Sequence, residues 1–207
     1  PKSNSSWVGY DFNYSVENIY LTGITRISDS INGKISILKN IGASKTKTDK
    51  IIPNSFSAFL TISINDSERF IFNFKDYLKY NDLSIQNLNF NSLNIIDEIS
   101  FVEDQEKFVI LSIVNNEQID SYFRLEKFDD NYNIKKIVLD EDLNILFKNI
   151  DNEIFGEYAV LLGNLLVITK SVSQLKKIIN SQNLNDNLGS NDTVSYTHLR
   201  AHETDRY

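Results

Sequence analysis

The chain has 207 residues and a formal net charge of −7, an acidic balance that repels both nucleic-acid backbones and anionic membrane surfaces. The absence of cysteine excludes thiolate catalysis, thiolate metal sites and disulfides. No apolar run reaches the roughly 18 residues of a transmembrane helix, so membrane attachment would need an anchor outside this sequence.

The first predicted element is a β-hairpin. Apolar and polar residues alternate from Trp7 to Tyr14, which is typical of a half-buried strand, and residues 19–27 follow as its antiparallel partner. Ser28 or Asp29 can then cap a helix whose apolar positions have helical spacing and which ends at Gly42.

Strand and helix alternate again in the middle of the chain. Residues 56–64 alternate as a strand, and Asn65, Asp66 and Ser67 can cap a helix with an apolar stripe at Phe70, Phe74, Tyr77 and Leu78. A charged turn at 103–107 then joins a short strand at 99–102 to residues 108–114. Because residues 108–114 are nearly all apolar, they predict a central strand covered on both faces. Asn115 or Asn116 is expected to cap a short helix after it.

The last round is a hairpin followed by a helix. Residues 158–162 and 165–169 flank Gly163 and Asn164, residues that permit a two-residue turn. Ser171 and Gln174 have the spacing of a capping box, in which the serine caps the helix and the glutamine reaches back. The expected buried stripe continues through Leu175 and Ile178, with Lys176 and Lys177 solvated.

These repeated units predict the α+β class, with an antiparallel sheet and helices on one face. Residues 1–193 are interpreted as a single domain that is an internal fragment of a longer protein, and a sub-boundary near 81–97 stays open. We expect edge strands near Trp7 and at 134–139. The polar segment after Asn183 is expected to pack against nothing.

Residues 194–207 are predicted to be a non-native tail. Residues 194–204 resemble the translation, in one frame, of a transposase-type DNA sequencing adapter, and both histidines, His198 and His202, lie within them. Without the tail the charge is unchanged, since Arg200 and Arg206 balance Glu203 and Asp205. Because both histidines lie in this tail, histidine catalysis and histidine metal ligation are not expected in the remaining chain.

Carboxylates are the remaining candidates for chemistry. Five of them surround one predicted hairpin: Asp97, Glu98, Glu103, Asp104 and Glu106. A pair separated by about 5–10 Å could hydrolyse a glycosidic bond. The alternative, which the lack of any burial signal favours, is a charged hairpin tip that keeps the turn solvated.

A second acidic group begins like a calcium loop. Asp140 and Asp142 supply oxygens at alternate positions, with Asp151 further along. However, Ile145 stands where the loop needs glycine, and Lys148 would bring a positive charge to the site. An acidic turn that leads into a helix is the favoured interpretation, and no metal or other cofactor is expected.

Trp7 is the one candidate ligand-contacting residue. Tyr10 and Tyr14 share a face with Val8 and Phe12, which indicates a core role, whereas Trp7 lies on the opposite face. An exposed large aromatic residue can contact a glycan or a peptide, so Trp7 is kept as a candidate.

Several structural motifs resemble a family of uncharacterised cell-envelope proteins of Bacteroidetes. They comprise Trp7 to Asp11, the run 19–24 ending in Gly23-Ile24, residues 51–54, and the group Tyr158, Leu161 to Asn164, Ser171, Leu175 and Ile179. The resemblance implies an exported, membrane-anchored protein, periplasmic or outer-membrane-associated, with a β-propeller-like module after this region. It brings no catalytic residue.

The leading interpretation is therefore a non-catalytic structural or interaction domain of an envelope-associated protein. Its expected partners are other domains of the same chain or other envelope proteins. A glycan- or peptide-binding module is the alternative, and a carboxylate-dependent hydrolase comes third.

Overall fold

The computed structural model describes residues 7–14, 19–26, 33–42, 44–83, 88–151 and 156–190. The strands are β1 (Trp7–Tyr14), β2 (Ile19–Arg26), β3 (Ala58–Ser63), β4 (Ile96–Glu103), β5 (Lys107–Ile113), β6 (Arg124–Asp129), β7 (Ile134–Val138), β8 (Tyr158–Leu162) and β9 (Leu165–Thr169). The α-helices are α1 (Ser67–Tyr80), α2 (Ile119–Tyr122), α3 (Glu141–Asp151) and α4 (Val172–Asn183). Short 3₁₀ helices occupy Lys34–Leu38, Thr48–Ile51, Asn91–Ile95, Asn116–Gln118 and Leu188–Ser190.

Seven strands form one antiparallel sheet in the order β3-β4-β5-β9-β8-β7-β6, and β1 pairs with β2 in a separate two-stranded sheet. The α+β class with an antiparallel sheet is thus confirmed. The predicted first and last hairpins are also confirmed. The turn between β8 and β9 places Gly163 at φ 61°, a backbone conformation that glycine adopts without steric cost.

The sheet separates two hydrophobic cores. Along β5, Val109 and Leu111 face the first core, whereas Phe108 and Ile110 face the second, and all four are fully buried. Strand β5 is bonded to β4 on one side and to β9 on the other. The prediction of a central strand covered on both faces is confirmed.

The helices cover both faces of the sheet, not one as expected. Helices α1 and α3 fill the first core with Phe70, Phe74 and Phe147, whereas α4 fills the second with Leu175 and Ile178. The physical reason is the composition of β5 and β9. Because both strands are apolar on both faces, each face needs its own cover.

Strand β6 was not predicted, and it changes the assignment of the sheet edge. Strand β7 pairs with both β6 and β8, so residues 134–139 are not an edge. The edge is β6, which carries four charged side chains and a β-bulge between Lys127 and Asp129. Because charge and irregular pairing interrupt its alternation, the strand could not be recognised from the apolar pattern.

Helix starts agree with the predicted caps. The Asp66 carboxylate accepts a hydrogen bond from the Arg69 amide at 2.8 Å at the start of α1, and the predicted stripe of α1 is buried. The Asn115 side chain accepts from the Glu117 amide at 3.0 Å. Ser171 caps α4 by accepting from the Gln174 amide at 3.3 Å.

Two expected segments differ in the structure. The helix predicted to end at Gly42 is, within the described residues, a 3₁₀ helix over Lys34–Leu38, and its proposed caps lie outside them. The segment after Asn183 does pack: Leu188 is buried in the second core, and its amide donates to the Ile52 carbonyl at 2.8 Å. A single leucine in an otherwise polar run did not predict a buried segment.

The two halves of the sheet are arranged alike. The series β3, α1, β4, β5 has the same order as β7, α3, β8, β9, and the two series meet where β5 pairs with β9. Phe108 pairs with Thr169 and Ser112 with Leu165, so the strands meet at equivalent positions. The two series therefore share one order of elements and lie on either side of the β5–β9 pairing. No helix of the described residues is long and apolar enough to cross a membrane.

Candidate functional site

The carboxylates predicted around one hairpin do not form a facing pair. Glu98 lies near the start of β4 and is 2% exposed, whereas Asp104 lies in the turn after it, with a side chain 3% exposed. Six residues of extended chain span about 20 Å, well beyond the separation that a glycosidase pair requires. Glu103 and Glu106 are exposed, as a solvated hairpin tip requires, but that expectation is wrong for Glu98 and Asp104, whose side chains are buried by their partners.

Glu98 accepts hydrogen bonds from the backbone of the 47–48 segment. The Lys47 amide donates to both carboxylate oxygens at 3.1 Å, and the Thr48 amide donates to Oε1 at 2.9 Å. The Thr48 hydroxyl adds a further bond to Oε1 at 2.6 Å. These amides open the 3₁₀ helix Thr48–Ile51, so Glu98 acts as its cap.

A chain of hydroxyls, two buried and one half-buried, extends this contact from β4 to β3. The Thr48 hydroxyl bonds that of Ser100 on β4, which bonds that of Thr61 on β3 at 2.6 Å. Thr48 and Ser100 are fully buried. Because each buried polar group has a partner, the network fixes the 3₁₀ helix to the sheet, and its depth withholds Ser100 from any substrate.

Asp97, next to Glu98, forms an ion pair with the Lys47 side chain. Its second oxygen, Oδ1, is buried and has no hydrogen-bond partner in the described part of the chain. The neighbouring carboxylates do not complete a metal site: within the described ranges, no three His, Cys, Asp or Glu residues are grouped so that they could hold an ion.

Asp104 links the β4–β5 turn to α4. Its Oδ2 accepts from Lys177 Nζ at 2.5 Å and from Gln174 Nε2 at 3.2 Å, and Ser55 donates to Oδ1 at 3.3 Å. Burial raises the pKa of Asp104, but the hydrogen bonds from Lys177 and Gln174 and the charge of Lys177 bring it below its ordinary value.

These contacts correct two predictions about α4. The Gln174 side chain donates to Asp104, so only the serine half of the predicted capping box is present. Lys177 is paired with Asp104, and Lys176 pairs with Asp129 at 3.0 Å, so neither lysine is simply solvated. The Lys176 bond is the main reason that the pKa of Asp129 is lowered.

The three acidic residues of the calcium-like sequence have separate protein partners. Asp140 caps α3 by accepting from the Leu143 amide at 2.8 Å. Asp142 accepts from two consecutive amides, those of Asn89 and Phe90, and Asp151 pairs with Lys107 at 3.2 Å. The interpretation as an acidic turn leading into a helix is confirmed.

The remaining candidates are Trp7 and the two histidines, whose side chains are outside the described part of the structure. Trp7 pairs with Arg26 in the β1–β2 ladder, but its side chain lies outside what the structure describes, as do His198 and His202. The role of Trp7 as a ligand contact stays a prediction.

Sequence reasoning missed three partners of the buried carboxylates. Gln174 and Lys177 are three residues apart on α4, a spacing that places both side chains on one side of the helix, so a shared partner could have been suspected. Nothing in the sequence links Thr48 to Glu98, because the contact joins chain segments that are distant in sequence.

We expect Glu98→Gln to lower the free energy of unfolding by about 2 kcal/mol, because the new amide group would face a backbone N–H inside the core. Asp97→Asn, which removes an equal charge from the adjacent, partly exposed ion pair with Lys47, should cost less than about 1 kcal/mol. Urea unfolding of both variants measures the difference. Equal losses would contradict the role of Glu98 as a buried cap.

Asp104 should make stability depend on pH. Since its pKa in the folded chain lies below the ordinary value of 3.8, its contribution is full above that value and is lost as pH falls through the folded pKa. The stability advantage of the wild type over Asp104→Asn should therefore shrink in acid. Unfolding curves at several pH values test this, with Glu106→Gln in the same turn as a control. An advantage that persists at the lowest pH would refute the assignment.

Comparison with known proteins identifies no family for this chain. No protein-family model, no curated protein and no solved structure matches it. What the chain does must therefore be inferred from its own contacts.

Proposed function

We propose that this chain is a non-catalytic structural or interaction domain of an exported, envelope-associated protein. The observation that carries the proposal is that the candidate carboxylates are used for structure. Glu98 and Asp142 accept from backbone amides, and Asp104 accepts from Lys177 and Gln174. A general acid or a nucleophile must instead reach its substrate.

The same contacts weigh against the hydrolase alternative. Glu98 and its hydroxyl partners are buried, and Asp104 is covered by α4 and lies at the other end of β4. A hydrolase of this type needs two carboxyl groups that flank one bond. Glu98 and Asp104 have neither the separation nor the access for that role.

A glycan- or peptide-binding role is the second candidate, and exposed aromatic rings favour it. Phe128 at the end of β6 is 47% exposed, and its ring centroid lies 4.8 Å from that of Tyr158. Lys136 Nζ lies 5.6 Å from the Phe128 ring. A solvent-facing ring held by a second ring is a suitable surface for stacking a sugar, as was also expected of Trp7.

The envelope location is supported by the resemblance of the motifs around Trp7 and Gly163 to the Bacteroidetes family. The acidic charge of −7 agrees with partners that are proteins, not nucleic acid. Fractionation of a Bacteroidetes host that expresses the full-length gene should recover the protein with the envelope. Recovery in the soluble cytoplasmic fraction would contradict this location.

We expect the purified chain to hydrolyse a nitrophenyl glycoside, a peptide nitroanilide and a nitrophenyl phosphodiester no faster than buffer does. Glu98→Gln and Asp104→Asn should lower the melting temperature without changing those rates, because the two carboxylates support the fold. Turnover above buffer that Glu98→Gln abolishes, in a variant whose circular dichroism shows it folded, would establish the hydrolase instead.

A further inference from the structure

Strand β3 forms one edge of the seven-stranded sheet. It pairs with β4 on one side, and no strand of the described residues pairs with its other side, which we call the β3 edge. Ala58 and Leu60 are exposed, Leu60 at 50%. An unpaired row of backbone N–H and C=O groups is a template for a further strand.

The opposite edge of the sheet, β6, has two features that prevent the pairing of a further strand. Strand β6 carries Arg124, Glu126, Lys127 and Asp129, and a bulge interrupts its pairing. Both devices oppose the addition of another strand. Strand β3 has no charged residue, and its pairing with β4 continues without a register shift.

We propose that the β3 edge is an interface between two copies of this chain, paired antiparallel about a twofold axis through Leu60. The proposal deepens the proposed function by naming a partner, and it rests on that function. The seven-stranded sheet of each copy would continue into the other without a break.

The composition around β3 favours a second copy over a charged partner. On a twofold axis each residue meets its own copy or a near neighbour, so a charged strand would place like charges together. Residues 51–65 contain no charged side chain, although the whole chain carries a net charge of −7. A self-paired β3 therefore has no such repulsion.

The register about Leu60 also keeps the faces of the sheet consistent. Leu60 would lie opposite its own copy, Ala58 opposite Ile62, and Phe59 opposite Thr61. Within β3, Ile62 contributes to the first core and Phe59 packs against the second. Since opposite residues of an antiparallel pair share a face, each core of one copy would adjoin the same core of the other.

The far end of β3 limits the length of this contact. The Ser44 hydroxyl bonds that of Ser63 at 2.6 Å, and Asn65 Nδ2 donates to the Gly42 carbonyl at 2.9 Å, so a neighbouring segment lies beside that end. Pairing is then confined to about five residues from each copy. An interface this small is weak, and we expect a dissociation constant on the order of 10 μM.

Sedimentation velocity from about 1 to 200 μM, a range that brackets such a constant, should show a monomer–dimer equilibrium of the chain. Leu60→Lys and Leu60→Glu should each weaken dimerisation at least about tenfold, because like charges would meet on the axis. An equimolar mixture of the two variants should restore it, since lysine then faces glutamate. The control is Val138→Lys, which changes an apolar residue of β7 that is 63% exposed and should leave dimerisation unchanged.

A wild-type chain that stays monomeric throughout this range would overturn the proposal, as would Leu60 variants that dimerise normally. A mixture that stays monomeric would overturn the twofold axis at Leu60. Circular dichroism and thermal melting show whether the variants fold. A negative result here leaves the hydrolysis rates unaffected, so it is distinguishable from failure of the proposed function.

Discussion

The constraint on which the fold depends is that β5 and β9 are apolar on both faces. Once these two strands pair in the middle of the sheet, water must be excluded from above and below. Helices α1 and α3 do so on one face, and α4, with the segments at 48–52 and 188, does so on the other. The buried polar contacts of Glu98 and Asp104 are consequences, because both hold a covering element against the sheet.

Polar groups in this chain therefore set positions, while apolar groups supply most of the stabilisation. A buried carboxylate such as Glu98 is tolerated because backbone amides satisfy it, and the same bonds determine where the 3₁₀ helix Thr48–Ile51 begins. Asp142 likewise accepts hydrogen bonds from the amides of Asn89 and Phe90 and so fixes the position of that segment. Both carboxylates are thus engaged by backbone amides of the segments that they position.

Local signals in the sequence predicted much of the fold. Each correctly predicted element has a signal within a few neighbouring residues. These signals are the alternation in β1, the apolar stripe of α1, the apolar run of β5 and the glycine turn before β9. Strand β6 was missed because its charges hide the strand period. The expectation that all helices lie on one face was wrong although the apolar run of β5 already required cover on both faces. The partners of Glu98 and Asp104 depend on which distant segments meet, so sequence reasoning identified the carboxylates but not their surroundings.

The contact between Ile52 and Leu188 bears on how the chain is made. Leu188 completes the core that Ile51 and Ile52 enter from a much earlier part of the sequence. During synthesis, therefore, the second face of the sheet stays open until nearly all the described residues have left the ribosome, whereas most of the first core is available earlier. A nascent chain would thus carry a half-covered sheet with an unguarded β3 edge, the stage at which protection from aggregation matters most.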